Sequence, residues 1–189
     1  MLNRDFPGWI GGLFKVVTQP EMTTGFSDRL ATGEQLWWDR VSPDFIQGVA
    51  GTSHSFYTRL FGSGFAQVPG LVESFEGGAN VLDLACGVCM GMGRVAERFP
   101  QSTFVGLDGD AHSLELAAEH LQSIGVGDRT STVLSTLEDL DESEAYDVVV
   151  INVSMHECRD IDKVTANVLK ALKPGGHFLI DGLNKSWML

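Results

Sequence analysis

Short apolar runs alternate with amphipathic stripes along the second half of the chain. Runs of strand length fall at Val81–Leu84, Phe104–Leu107, Thr132–Leu134, Val148–Ile151 and His177–Ile180. Runs this continuous suit parallel strands covered on both faces. Between them, Leu114, Ala117, Ala118 and Leu121 sit at i, i+3, i+4 and i+7, one stripe of a helix over His112–Ser123. Ile161, Val164, Val168 and Leu172 repeat the stripe over Asp160–Lys173, and Pro174-Gly175-Gly176 is expected to stop that helix. Strands alternating with helices predict an α/β fold, doubly wound around a mostly parallel sheet in which five strands are legible.

Residues 1–78 lack this rhythm. They are rich in Gly, Phe and Trp, and short helices are expected around Asp44–Val49 and Ser55–Phe61. Trp37 and Trp38 stand beside Asp39 and Arg40 in a segment too broken for a long helix. The chain thus divides into a helical cap or N-terminal extension over 1–78 and an α/β core over 79–189. Trp37, Trp38, Phe56 and Tyr57 fit the core of such a cap more readily than a substrate contact.

A length of 189 residues with 43% hydrophobic positions is enough for one real core plus a modest extension. The net charge of −12 argues against a partner bound through its phosphates, so nucleic acid is not expected. Residues 1–78 hold 5 basic and 8 acidic side chains, and residues 79–189 hold 8 and 17. Five of the latter, Glu138, Asp139, Asp141, Glu142 and Glu144, crowd one connection that reads as a solvated loop. Three cysteines make no disulfide framework, and no run approaches the length of a membrane span. The expectation is a soluble, cytoplasmic protein with no membrane partner.

The sharpest chemical signal is Val81-Leu82-Asp83-Leu84-Ala85-Cys86-Gly87-Val88-Cys89-Met90-Gly91, a buried strand running through a small-residue turn into a helix. Such a turn lets backbone approach a ligand and presents free N–H groups to it. About 20 residues further on, Phe104-Val105-Gly106-Leu107-Asp108 ends the next strand in an acid, placed to accept both hydroxyls of a ribose.

These residues resemble the class I S-adenosylmethionine-dependent methyltransferases. The first strand and turn match the family's acid-x-Gly-x-Gly-x-Gly motif, and Gly106-Leu107-Asp108-Gly109-Asp110 is similar to its ribose motif. Tyr146 to Asn152 resembles the fourth strand, and Leu172-Lys173-Pro174-Gly175-Gly176 the lead-in to the fifth. The resemblance covers 79–181 and implies a Rossmann-like fold with S-adenosyl-L-methionine as cofactor. Fainter similarity over Gly33–Phe61 and in Met155-His156-Glu157 points to a subgroup acting on small molecules. By resemblance, Asp83, Ala85 and Gly87 line the methionine end of the cofactor and Asp108 holds the ribose. Gly109 and Asp110 lie along its edge, Thr136 and Leu137 beside the adenine, and Asn152 near the amino group.

Two departures stand out. The motif's three glycines correspond to Ala85, Gly87 and Cys89, and a side chain at Cys89 is expected to crowd the cofactor. A left-handed backbone there costs about 1–2 kcal/mol without glycine. The family's sheet has seven strands, whereas only Gly182 to Leu189 follow the fifth strand here. The edge of that strand is therefore expected to be covered by self-association or by a partner.

His156-Glu157 follows the fourth strand, at the end of the sheet where open α/β folds bind ligands. Histidine there suits proton removal from a hydroxyl or amine acceptor, with Glu157 orienting it, but a structural histidine fits equally. Cys86-x-x-Cys89 with Cys158 lacks a fourth ligand or a redox context, and no metal is expected. His54, His112, His120 and His177 are dispersed and read as structural or solvated. Three functions remain: a methyltransferase for a small-molecule acceptor, a non-catalytic or truncated binding module of the same fold, and an NAD(P)-dependent oxidoreductase. Against the last, the turn is not Gly-x-Gly-x-x-Gly, and neither tyrosine has a lysine four residues later.

Overall fold

The computed structural model describes residues 9–34, 38–59 and 64–181. The chain divides into two compact units, Met1–Gln67 and Val68–Leu189. The division falls earlier than the expected one after residue 78. Helix α4 (Leu71–Glu76) belongs to the second unit because Leu71 and Phe75 are buried there. Phe75 stacks on Phe99 at 4.7 Å between ring centroids, and its carbonyl accepts a bond from the buried Ser102 hydroxyl.

The first unit is helical: α1 (Gly11–Val17), α2 (Thr24–Thr32) and α3 (Pro43–Arg59). The two short helices expected over 44–61 are one continuous helix over Pro43–Arg59, and Leu60 and Phe61 lie outside the described residues. Helices α1 and α2 are not evident in the sequence, and for α1 the reason lies in its packing. Gly12 and Val16 of α1 lie against Gly51 and Gly48 of α3, backbone nearly on backbone. Leu13, Phe14 and Val17 of α1 are exposed instead. A contact made by glycines carries no apolar stripe to read. Trp38–Arg40 forms a single 3-10 turn, and Trp37 falls outside the described residues.

The second unit holds a five-stranded, fully parallel sheet in the order β3-β2-β1-β4-β5. The strands are β1 (Asn80–Leu84), β2 (Thr103–Asp108), β3 (Thr130–Leu134), β4 (Tyr146–Asn152) and β5 (Leu172–Asp181). Helices α5 (Met90–Arg98), α6 (Ala111–Ser123) and α7 (Ile161–Ala171) connect them. Leu82, Leu84, Val149 and Ile151 form one buried cluster with Val164, Val168 and Ala171 of α7. Alternation along β1 turns Asp83 to the opposite face.

The end of α7 differs from the sequence expectation. Ala171 closes the helix and β5 begins at once, so Pro174-Gly175-Gly176 lies inside the strand. The register between β4 and β5 slips between Tyr146 and Val148, which accommodates the proline and Gly175 at φ 82°. Asp147 ties this corner: its carboxylate accepts the Asn80 amide and the Lys173 ammonium, each at 2.8 Å.

The acidic connection is more engaged than a solvated loop. Glu138 accepts the backbone amides of Arg159 and Asp160, while its carbonyl accepts the Asn167 amide group. Asp141 pairs with Lys170. Acids here hold the loop after β3 along α7, from Arg159 just before it to Lys170 in its last turn.

Candidate functional site

The sheet reverses its winding at β1. From β1 the chain continues outward through β2 to β3, and β4 then returns to the other side of β1. Such a switch point opens a crevice at the carboxyl ends of the strands. In this molecule that edge carries Asp83 and Leu84 of β1, Asp108 of β2, Leu134 of β3 and Asn152 of β4.

The turn after β1 is built on left-handed backbone. Ala85, Gly87 and Cys89 have φ of 52°, 53° and 55°. The Cys89 amide bonds to the Cys86 carbonyl at 2.9 Å, the Cys86 amide to the Leu107 carbonyl at 3.2 Å, and the Cys89 carbonyl accepts the first intrahelical bond of α5 from Gly93. The position of a Cβ on Gly87 has no neighbouring atom within 4 Å. The crevice is open where the glycine stands.

Cys89 does not crowd this opening. Its side chain is fully buried, with Sγ 2.9 Å from where a Cβ would stand on Gly106 of β2, and the Cys86 Sγ lies at 2.8 Å from the same point. Both thiols pack beneath the turn on a glycine of the neighbouring strand. The expected collision is therefore corrected, while the backbone strain at Cys89 is present. Its hydrogen bond with Cys89, reinforced by burial and nearby carboxylates, pushes the Cys86 thiol far up. A neutral thiol is a weak nucleophile. Among the described residues no group of three or more His, Cys, Asp or Glu is arranged to hold a metal ion.

Asp83 and Asp108 differ in their surroundings. Asp108 accepts the Gly87 amide at 2.8 Å on one oxygen and the Asp110 amide at 2.9 Å on the other. Burial pushes its pKa up while these amides pull it down, and burial wins. Asp83 is 6% exposed, and its carboxyl hydrogen-bonds to none of the described residues. Burial first, and the Asp108 charge second, push it up to about 7.

The remaining sequence candidates scatter around this centre. Gly109 is exposed, and Asp110 caps α6 by accepting the Ser113 amide at 2.8 Å. Thr136 is exposed and donates to Asp139, while Leu137 packs against the core cluster. The Oδ1 of Asn152 is buried without a hydrogen-bond partner. Next to it Val153 has φ 62°, unusual for a β-branched residue and invisible in the sequence. His156 and Glu157 share the 3-10 turn Met155–Glu157; the imidazole is 70% exposed and stands 3.9 Å from the carboxylate. That separation is too long for a hydrogen bond, so the expected orientation of His156 by Glu157 is not made through one.

An acid-flanked glycine turn at a topological switch, with one buried acid unpartnered, suits a nucleoside ligand that also bears positive charge. A family model for a methyltransferase domain matches residues 82–178. The chain belongs to the methyltransferase domain family. This methyltransferase-family chain is 31% identical over 185 residues to a sterol 24-C-methyltransferase of Clavispora lusitaniae, covering 93% of this chain and 47% of that protein. It is 28% identical over 169 residues to a ubiquinone biosynthesis O-methyltransferase of Paramagnetospirillum magneticum, covering 85% and 64%. It spans about half the length of the curated relatives it matches. Its fold is shared with mitomycin 7-O-methyltransferase at a TM-score of 0.75 and 18% identity, over 98% of this chain and 57% of that one. The oxidoreductase alternative is not favoured by these matches.

Proposed function

We propose that the chain binds S-adenosyl-L-methionine across the carboxyl ends of β1, β2 and β4 and transfers its methyl group to a small-molecule acceptor. The observation that carries this reading is the open, left-handed turn at Gly87 flanked by Asp83 and Asp108. When bound, the cofactor supplies an electrophilic methyl carbon on a sulfonium. Asp83 meets positive charge with a carboxyl that has no other partner. Asp108 keeps lone pairs free on both oxygens and accepts ribose hydroxyls. Gly87 and Ala85 let the chain approach the methionine portion, with Asn152 Oδ1 facing its amino group. Gly109 and Asp110 border the ribose, and Thr136 and Leu137 the adenine.

In this reading His156 takes a proton from a hydroxyl or amine acceptor, a role supported by its exposed turn just beyond β4. Positioning of the acceptor supplies the larger share of the rate. The −12 charge supports an acceptor without phosphates. Three free cysteines, and the lack of any helix among the described residues long and apolar enough to cross a membrane, support a cytoplasmic setting. Strand β5 has β4 on one side and none of the described strands on the other; a second chain or further strand is proposed there.

Calorimetric titration with S-adenosylmethionine, S-adenosylhomocysteine and NAD tests the cofactor. Micromolar binding of the first two and none of NAD is expected. Absence of binding by a folded sample defeats the proposal.

A further inference from the structure

Asp83 is an unusual carboxyl. It lies one residue from the end of β1, 6% exposed, on the opposite face from Leu82 and Leu84. The groups acting on it are few. From β2 it feels Asp108, and from the turn Cys86, whose thiol is held neutral. Opposite it in register stand Gly106 of β2 and Val150 of β4, and beyond the latter Asn152, none of them charged. No cation among the described residues acts on it.

Two carboxyls of which one feels the charge of the other do not both ionise cheaply in a buried place, and hydrogen-bond donors decide which one keeps the charge. Asp108 has the donors, from Gly87 and Asp110. Asp83 has none. The proton belongs on Asp83.

We infer that Asp83 is protonated when the crevice is empty and gives its proton to solvent when the cationic centre of the ligand enters, making cofactor binding a proton-releasing step. The inference rests on the cofactor reading above. The balance is simple: a neutral carboxyl and a cation become an ion pair, and one proton passes to buffer. The cation is either the α-ammonium, which S-adenosylmethionine and S-adenosylhomocysteine share, or the sulfonium, which only the former carries. With Asp83 ionising near pH 7, affinity for the cation rises about tenfold from pH 6 to pH 8 and levels off above.

The test is calorimetry of the full chain at pH 6 and pH 8, in buffers of contrasting ionisation enthalpy, with each ligand. Close to one proton released at pH 6 and little at pH 8 is expected. Release with both ligands assigns the ammonium; release with S-adenosylmethionine alone assigns the sulfonium. Asp83→Asn, which mimics the neutral acid, is expected to bind more weakly and to lose the release that wild type shows, while titration of the ligand's own ammonium persists in both. A carboxyl ¹³C titration of the ligand-free protein checks Asp83 without any substitution: one aspartate titrating near neutral pH, absent from the variant. Binding without proton release, or an Asp83 ionised at pH 5, overturns the inference and leaves the cofactor reading intact. No binding of either ligand overturns both.

Discussion

Gly106 and Cys89 form a lock between β2 and the turn after β1: the position a Cβ would take on the glycine lies 2.9 Å from the cysteine Sγ. A real Cβ does not fit there, nor beside the Cys86 Sγ at 2.8 Å. Gly106→Ala is therefore expected to destabilise by about 1–3 kcal/mol through overpacking. In a background with Cys86→Ala and Cys89→Ala the same substitution should cost much less, since both sulfurs are gone. Urea denaturation of the four proteins gives the coupling directly; equal cost in both backgrounds would mean the thiols are not what excludes the methyl.

Cys89 also carries strain, with φ 55° and ψ 27° at the cap of α5. Cys89→Ala and Cys89→Gly both delete the buried thiol, but only glycine relaxes the left-handed backbone. The glycine variant should be the more stable of the two by about 1 kcal/mol. A lower melting temperature for Cys89→Gly than for Cys89→Ala contradicts the left-handed assignment.

How much of this was readable beforehand depends on what the packing leaves in the sequence. Val148, Val149 and Ile151 are buried together, and a strand covered on both faces writes itself as an apolar run. Asp83, Gly87 and Asp108 were readable for the same kind of reason: a turn and two strand ends leave residue types that few other arrangements need. Helix α1 left no such record, because its contact with α3 is made by Gly12, Gly48 and Gly51. The direction of the Cys89 side chain was equally hidden. The one clue was a glycine in the middle of β2, which marks a close approach without naming what approaches.

Stability should depend on pH through Asp83. Its pKa is raised from 3.8 to about 7 in the folded chain, so its contribution is fully present below 3.8 and is lost as the pH rises to about 7. Across that window wild type should lose on the order of 4 kcal/mol relative to Asp83→Asn, at about 1.4 kcal/mol per unit. Asp147 runs the other way: burial lifts it, but Lys173 and the Asn80 amide outweigh burial and hold it below the ordinary value. Its contribution is present above that value and lost in acid. Denaturant midpoints for wild type and Asp83→Asn from pH 4 to pH 8 separate the two, because Asp147 is common to both. Parallel curves would show that Asp83 ionises as freely in the folded chain as in the unfolded one.

The opening at Gly87 permits a sharper test of the cofactor reading, because stability and affinity should respond differently there. A methyl group at Gly87 meets no atom of the chain, so Gly87→Ala costs only the strain of φ 53°, about 1 kcal/mol. The same methyl stands in open space at the turn where S-adenosylmethionine is proposed to lie, and more than a tenfold loss of affinity is expected, above 1.4 kcal/mol. Thermal melting of the ligand-free protein and calorimetric titration measure the two effects on one sample. A variant that melts slightly earlier yet binds as well as wild type would place the ligand away from this turn, and the roles assigned to Asp83 and Asp108 would go with it.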